Sequence, residues 1–273
     1  MKNILIIIIT LMYCGLSAQN YRATYNFEYK RDSLSKDKIR KNMTLDIFEN
    51  YTKFYFEKLL SLDSLKRKNL NVSFSSPLQQ IVKRKRNTVQ NQNFVSVDDI
   101  YYSFFTEDII KWKVTDSIKI FDQYKVQKAV AYWSGRNWKA WFCSEIPLPE
   151  GPYKFTGLPG LIIKLEDDKN NFAYTLTSLK KISKTDETKN IVEKNLGITP
   201  IQITSQKYKK LLMNAYNNPF EEYKTMKQGT WVLDLFDKQI NTIEGLKDIT
   251  KEYQEDIRKN YNPIEIDQAV HYK

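Results

Sequence analysis

The side chains that most often carry catalysis are scarce in this sequence. Its single histidine is His271, close to the C-terminus of the 273-residue chain, where chain ends are commonly poorly ordered. A serine or cysteine nucleophile with an imidazole base is therefore nearly excluded. A zinc or copper site with nitrogen and sulfur ligands needs several such residues, and no phosphate loop or dinucleotide fingerprint is present. We expect no catalytic residue, no metal and no cofactor.

Carboxylates are the remaining candidates for chemistry, and several lie between residues 145 and 168. Paired carboxylates can hydrolyse glycosides or hold calcium, so a hydrolase that uses Glu145 or Glu166 with Asp167 is one hypothesis. The run from Glu166 to Asn171 is more typical of a solvated hairpin tip, and it lacks the ligand spacing of a calcium loop. We therefore predict a hairpin tip, and the hydrolase stays an alternative.

Aromatic rings and turn residues are dense just before and among these carboxylates. A concave sheet lined by such rings would suit an acyl chain, a glycan or a peptide, although rings on both faces of a hairpin more often form core. The candidate binding residues are Trp138, Trp141, Tyr153, Phe155, Gly157, Leu158, Pro159 and Gly160.

Residues 157–162 read Gly-Leu-Pro-Gly-Leu-Ile and form the most distinctive stretch of the chain. Within Leu158–Leu161, the proline fixes φ at the second position and Gly160 permits positive φ at the third, which predicts a type II turn. Glycines also permit the close approach of a partner or ligand to the backbone. A structural turn is the favoured interpretation, and a binding role stays open.

The net charge of +11 indicates affinity for acidic surfaces, such as anionic glycolipid, polysaccharide or an acidic partner. The lysines are spread along the whole chain, and we predict no nucleic-acid binding. The densest basic run is Lys83–Arg86. A solvated edge or loop is the favoured interpretation of this run, and an interaction module for acidic envelope partners is the alternative.

The N-terminus has the pattern of a secretory signal peptide. Lys2 precedes an apolar stretch over residues 4–12, and Leu16-Ser17-Ala18 offers a small-residue cleavage site. The stretch is too short to span a membrane, so we expect residues 1–18 to be removed and no transmembrane span to remain. Cys143 would then be the only cysteine, unable to form an internal disulfide, and we predict that it is a small buried hydrophobe.

Strict alternation of apolar and polar residues, clearest over Tyr21–Tyr29, predicts strands through most of the chain before residue 180. One of these predicted strands covers residues 107–115. Spacings of three and four residues predict later helices, including one capped by Ser205 and one carrying Leu246 to Ile257. We therefore predict a single α+β domain over residues 19–273: a predominantly antiparallel, curved β-meander with helices gathered in the C-terminal third.

An ordered series of motifs resembles a known family. The quoted segments are Trp138–Phe142, Glu145–Pro147, Gly151–Phe155, Gly157–Ile162, Glu166–Asp167 and Asn262–Glu265. They are similar to the GLPGLI family of exported Bacteroidetes proteins. The resemblance implies a signal peptide and a cell-envelope location: periplasm, outer-membrane association or secretion. It implies no established activity, cofactor or catalytic residue. It suggests an association with outer-membrane receptor systems only weakly.

The favoured hypothesis is therefore a non-enzymatic envelope protein that binds a lipid, a glycan, a peptide or a partner protein. It predicts an apolar groove near Trp138, Trp141 and Tyr153.

Overall fold

The computed structural model describes residues 19–67, 79–183, 191–194, 197–227 and 229–273. The predicted signal peptide, residues 1–18, lies outside the described residues. The strands are β1 (Asn20–Tyr29), β2 (Ile39–Ile47), β3 (Tyr51–Phe56), β4 (Ile81–Lys85), β5 (Gln90–Val97), β6 (Ile100–Glu107), β7 (Lys113–Phe121), β8 (Tyr124–Trp133), β9 (Arg136–Cys143), β10 (Leu161–Asp167), β11 (Phe172–Ile182), β12 (Ile201–Gln202), β13 (Leu233–Leu235) and β14 (Lys238–Ile240). The helices are α1 (Lys58–Arg67), α2 (Ser205–Asn217), α3 (Glu221–Thr225) and α4 (Ile243–Lys259).

Twelve of the described strands form one open sheet in the order β12-β6-β5-β4-β3-β2-β1-β11-β10-β9-β8-β7. The prediction of a mainly antiparallel sheet is confirmed, since only β12 pairs in parallel, with β6. The predicted single meander is instead two, β1 to β6 and β7 to β11. They join where β11 returns antiparallel beside β1, so the first strand lies in the middle of the sheet.

Two predictions about element boundaries are wrong. The chain forms α1 where no helix was predicted, because Leu59 and Leu62 bury one side of that turn against the core; the helices are therefore not confined to the C-terminal third. The strand predicted over 107–115 is interrupted after Glu107. Between Glu107 and Lys113 the backbone leaves the sheet. In this gap the Trp112 indole N–H donates to the carbonyl of Thr156 at 2.9 Å.

The core lies mainly on one face of the sheet, the face that carries Tyr25 and Phe27, which we call the front face. Residues 144–160, the cover segment, fold over it. Phe155 from this segment packs on Trp138, with ring centroids 4.5 Å apart. Burial of such rings supplies much of the hydrophobic stabilisation of a sheet of this kind. The opposite face, which carries Arg22, is the back face.

The turn at residues 158–161 is not the predicted type II turn. The φ of Gly160 is 158°, far from the value of about +80° that a type II turn needs at this position. The Leu161 N–H donates to the carbonyl of Ile146 at 3.1 Å. A Cβ on Gly160 would lie 2.2 Å from the carbonyl oxygen of Cys143, so glycine is needed for backbone packing against the end of β9. Cys143 itself is buried, as predicted.

The later helices match the prediction closely. Thr204, one residue before the predicted cap, accepts a hydrogen bond from the Lys207 N–H at 3.1 Å and begins α2. Tyr208 of α2 then stacks on Phe104 of β6. Leu246 of α4 is buried in a small cluster of its own. No helix among the described residues is long and apolar enough to cross a membrane.

Candidate binding site

A cavity of about 430 Å³, the front cavity, lies between the front face of the sheet, α2, α4 and the C-terminal residues 260–273. Strands β5 and β6 supply Asn93 and Thr106, and the C-terminal residues supply a roof that includes Glu265. Six tyrosines line the walls: Tyr29, Tyr153, Tyr208, Tyr253, Tyr261 and Tyr272. The cavity therefore combines aromatic surface with polar groups, as ligand sites commonly do.

Gln80 gives the cavity a buried hydrogen-bond donor with no partner. Gln80 is one of the residues that line the cavity, and it is 1 % exposed. The Oε1 atom accepts from the hydroxyl of Tyr174 at 2.7 Å, whereas Nε2 has no hydrogen-bond partner among the described residues. Nearly all buried amides in folded proteins pair with protein or ordered water, so this donor is open to a partner of either kind or to a ligand.

Lys154 places a buried positive charge between two carboxylates in the same wall. Its Nζ lies 2.8 Å from Glu265 and 3.2 Å from Asp108. Asp108 also accepts from Asn91 at 2.9 Å, and Glu265 accepts from the Tyr153 hydroxyl. A buried charge is tolerated when it is paired and hydrogen-bonded in this way. These groups link the cover segment to both the sheet and the C-terminal roof.

The phenol groups of the cavity are neutral at physiological pH. Burial raises the pKa of Tyr153 well above its ordinary value, and the neighbouring Glu265 raises it further. Burial also raises the pKa of Tyr208, Tyr261 and Tyr272. Each hydroxyl can therefore donate and accept hydrogen bonds without adding charge.

The eight candidate binding residues do not lie in one groove. Only Tyr153 lines the front cavity. The core contains Trp138, Phe155 and Leu158, and Gly160 is buried against β9, whereas Gly157 and Pro159 are exposed. Trp141 lies on the back face, where the Nζ of Lys119 is 4.0 Å from its ring centroid. Residues three apart on a strand point to opposite faces, so Trp138 and Trp141 cannot share a groove.

The carboxylates proposed for a hydrolase are separated in the same way. Glu166 and Asp167 are neighbours on β10 and point to opposite faces. Burial alone would raise the pKa of Glu166, but hydrogen bonds from the ammonium groups of Lys139 and Lys164 lower it. Glu145 is exposed. Among the described residues, no three histidine, cysteine, aspartate or glutamate side chains converge on a possible metal position.

The predicted hairpin tip is present and exposed at Asp168, Lys169 and Asn170, but the side chain of Asp167 is buried. It accepts from the backbone N–H of Phe172 at 2.8 Å and from Arg136 at 3.2 Å. The guanidinium of Arg136 also donates to the carbonyls of Pro263 and Ile264, at 2.6 and 3.1 Å. The hairpin therefore anchors the C-terminal roof.

The basic run Lys83–Arg86 is not the solvated edge that was predicted. It lies in and just after β4, an interior strand, and Arg84 is buried in an ion pair with Glu150. The Nε of Arg86 lies 3.4 Å from the same carboxylate. Lys83 pairs with Glu193 at 2.6 Å. Of the four side chains only Lys85 is exposed, so the run offers little charge to an acidic partner.

Three residues of the candidate site were missed from the sequence: Gln80, Lys154 and Glu265. Lys154 and Glu265 fall inside segments quoted for the family resemblance, so their position in those motifs was an available signal. Gln80 had none, since a single polar residue beside a strand is ordinary.

Comparison with known proteins gives one family match and a structural likeness. A family model described as a protein of unknown function (Porph_ging) matches residues 125–164, from β8 to the middle of β10. The match is consistent with a Bacteroidetes-type family. It covers the cover segment and the Gly157–Ile162 stretch. No curated protein matches the sequence.

Two crystal forms of PNGF-II are similar to this chain in structure. Each has a TM-score of 0.51 at 18% sequence identity and covers 71% of this chain. The alignment spans 33% of PNGF-II, so this chain corresponds to about a third of that protein. At this identity the likeness shows the fold alone.

Proposed function

We propose that this chain is an exported cell-envelope protein of GLPGLI type, which binds a small molecule in the front cavity and performs no chemistry on it. The observation that carries the proposal is the unpartnered Nε2 of Gln80. Leaving a buried donor unpaired costs about 1–3 kcal/mol. A ligand with an acceptor at this point would remove that cost.

A preformed roof supports a binding role. Asn262 donates to the carbonyl of Lys30 at 2.8 Å, and the Ile266 N–H donates to the carbonyl of Ser134 at 2.9 Å. Tyr272 packs edge-to-face against Tyr261 at the far end of the segment. Because these contacts already hold the roof in place, few side chains and loops have to become ordered when a ligand binds. Less binding free energy is therefore lost to ordering.

The envelope location rests on the signal-peptide pattern of residues 1–18, on the resemblance to exported Bacteroidetes proteins and on the family match. Cell fractionation followed by N-terminal sequencing tests it. The proposal expects a mature chain that starts near Gln19 in the periplasmic, outer-membrane or secreted fraction. A chain in the cytoplasm that retains residues 1–18 would contradict it.

Native mass spectrometry of the protein isolated from its own envelope tests the binding role. We expect a bound small molecule in the wild type and its loss in Ala269→Trp, because Ala269 lines the cavity and an indole there would fill it. Unchanged thermal unfolding of the variant would show that the fold is kept. The same bound mass in both proteins would contradict the proposed site.

A further inference from the structure

We infer that the ligand of the front cavity is a neutral saccharide of one or two rings, an inference that rests on the proposed binding function. The volume of about 430 Å³ lies at the small end of the range of about 300–1,000 Å³ usual for ligand sites. A cavity of this size suits a compact molecule better than an extended chain or a folded partner.

The charges around Lys154 and Arg31 favour a neutral ligand at these two points of the wall, which also includes Lys30 and Lys209. Lys154 is 2 % exposed and is already shared between Asp108 and Glu265. At the side of the cavity Arg31 lies 3.4 Å from Asp256. An anionic group placed beside Lys154 would therefore also face two carboxylates, and it would lose its hydration without gaining an unshared cation from this cluster.

The polar groups of the wall disfavour a lipid. An acyl chain over the Nε2 of Gln80 would bury this donor without a partner, at the full desolvation cost. It would also remove water from the Glu265 carboxylate, whose Oε1 pairs with Lys154 and Tyr153, without offering it a further donor. A ligand with hydroxyl groups along its edge satisfies both, because a hydroxyl accepts from the amide and donates to the carboxylate.

The tyrosines provide the complementary apolar surface. A sugar ring has an apolar C–H face and a rim of hydroxyls, and an aromatic ring with a polar tip matches both parts. Tyr208, Tyr261 and Tyr272 present such rings from α2 and the roof. Their raised pKa values keep the hydroxyls uncharged, so they add hydrogen bonding without selecting for ligand charge.

Titration calorimetry on the mature chain, residues 19–273, tests the inference with five probes: cellobiose, N,N′-diacetylchitobiose, a uronic-acid disaccharide, palmitate and a tetra-alanine peptide. We expect saturable binding of a neutral disaccharide. Gln80→Met should weaken it about ten-fold, the factor expected from one lost hydrogen bond. Tyr174→Phe is the matched control, since it breaks the same Tyr174–Gln80 contact but leaves Nε2 in place, and it should retain the affinity. Ala269→Trp should abolish binding and serves as the test if Gln80→Met does not fold.

The outcomes separate the two proposals. Binding of the uronic-acid disaccharide, palmitate or the peptide that Ala269→Trp abolishes, with no binding of a neutral saccharide, would overturn the saccharide inference and leave the binding function. Saccharide binding that neither Gln80→Met nor Ala269→Trp weakens would overturn the assignment to this cavity. Failure of all five probes, together with no bound species in native mass spectrometry, would overturn both.

Discussion

Replacing Gly160 by alanine should destabilise the fold far more than replacing Gly157, although both glycines belong to the same six-residue stretch. A Cβ on Gly160 would lie 2.2 Å from the carbonyl oxygen of Cys143 and 2.9 Å from the Cα of Ser144. Both contacts are with backbone, which cannot swing away as a flexible side chain can. A Cβ on Gly157 would meet nothing within 4 Å, so only its φ of +93° favours glycine at this position.

The expected magnitudes follow from these two environments. Overpacking a well-packed site costs about 1–3 kcal/mol, and a clash between two backbone segments should reach the top of that range, about 3 kcal/mol. Positive φ costs an alanine about 1–2 kcal/mol, and the lower entropy of the unfolded alanine chain returns part of this. We therefore expect a loss of about 1 kcal/mol for Gly157→Ala.

Urea unfolding measures the difference directly. The midpoint for Gly160→Ala should fall well below that for Gly157→Ala, with the same dependence of the free energy on denaturant in both. Equal midpoints, or a larger loss in Gly157→Ala, would refute the conclusion that Gly160 is required for packing of the cover segment against β9.

Further predictions concern the buried charges and the back face. Arg84→Met should lower the free energy of unfolding by about 3 kcal/mol because it leaves the buried Glu150 poorly compensated, whereas Lys85→Met, at an exposed position of the same strand, should change it by less than about 0.5 kcal/mol; thermal unfolding compares the two. Burial alone would raise the pKa of Glu193, but its lysine partners lower it from its ordinary value of 4.5, so the stability that this carboxylate contributes is present above pH 4.5 and is lost as the pH falls below it. Glu193→Gln should therefore flatten the fall in the free energy of unfolding below pH 4.5, and an unchanged slope would contradict the pairing. Trp141→Ala should leave saccharide affinity in calorimetry unchanged, since the ring lies on the back face; a loss comparable to that of Ala269→Trp would contradict this placement.

Local periodicity was sufficient to predict most of the fold. The alternation in Tyr21–Tyr29 and the spacing from Leu246 to Ile257 record which side of each element is buried, and the structure agrees in both places. The pairing of β1 with β11 joins residues about 150 positions apart. Nothing local in either strand specifies that partner, so the division into two meanders could not be predicted.

The candidate site was harder to predict because its parts meet only in three dimensions. Arg84 looked like surface charge, yet its partner Glu150 lies on a distant cover segment that encloses it. Gln80, Lys154 and Glu265 come from three separate parts of the chain, and their chemistry depends on burial that no single motif reveals. Trp138 and Trp141, which were predicted to bind a ligand, are large hydrophobes, and Trp138 is buried for that reason.

The central claim is that the front cavity binds a ligand through the amide of Gln80. The most direct test follows the Gln80 side-chain amide resonance in ¹⁵N–¹H NMR spectra while a neutral disaccharide is added. The account predicts a saturating shift of this resonance together with resonances of Tyr208 and Tyr261. Saturable binding that leaves the Gln80 amide unmoved, with the shifts centred on the back face around Trp141, would contradict it.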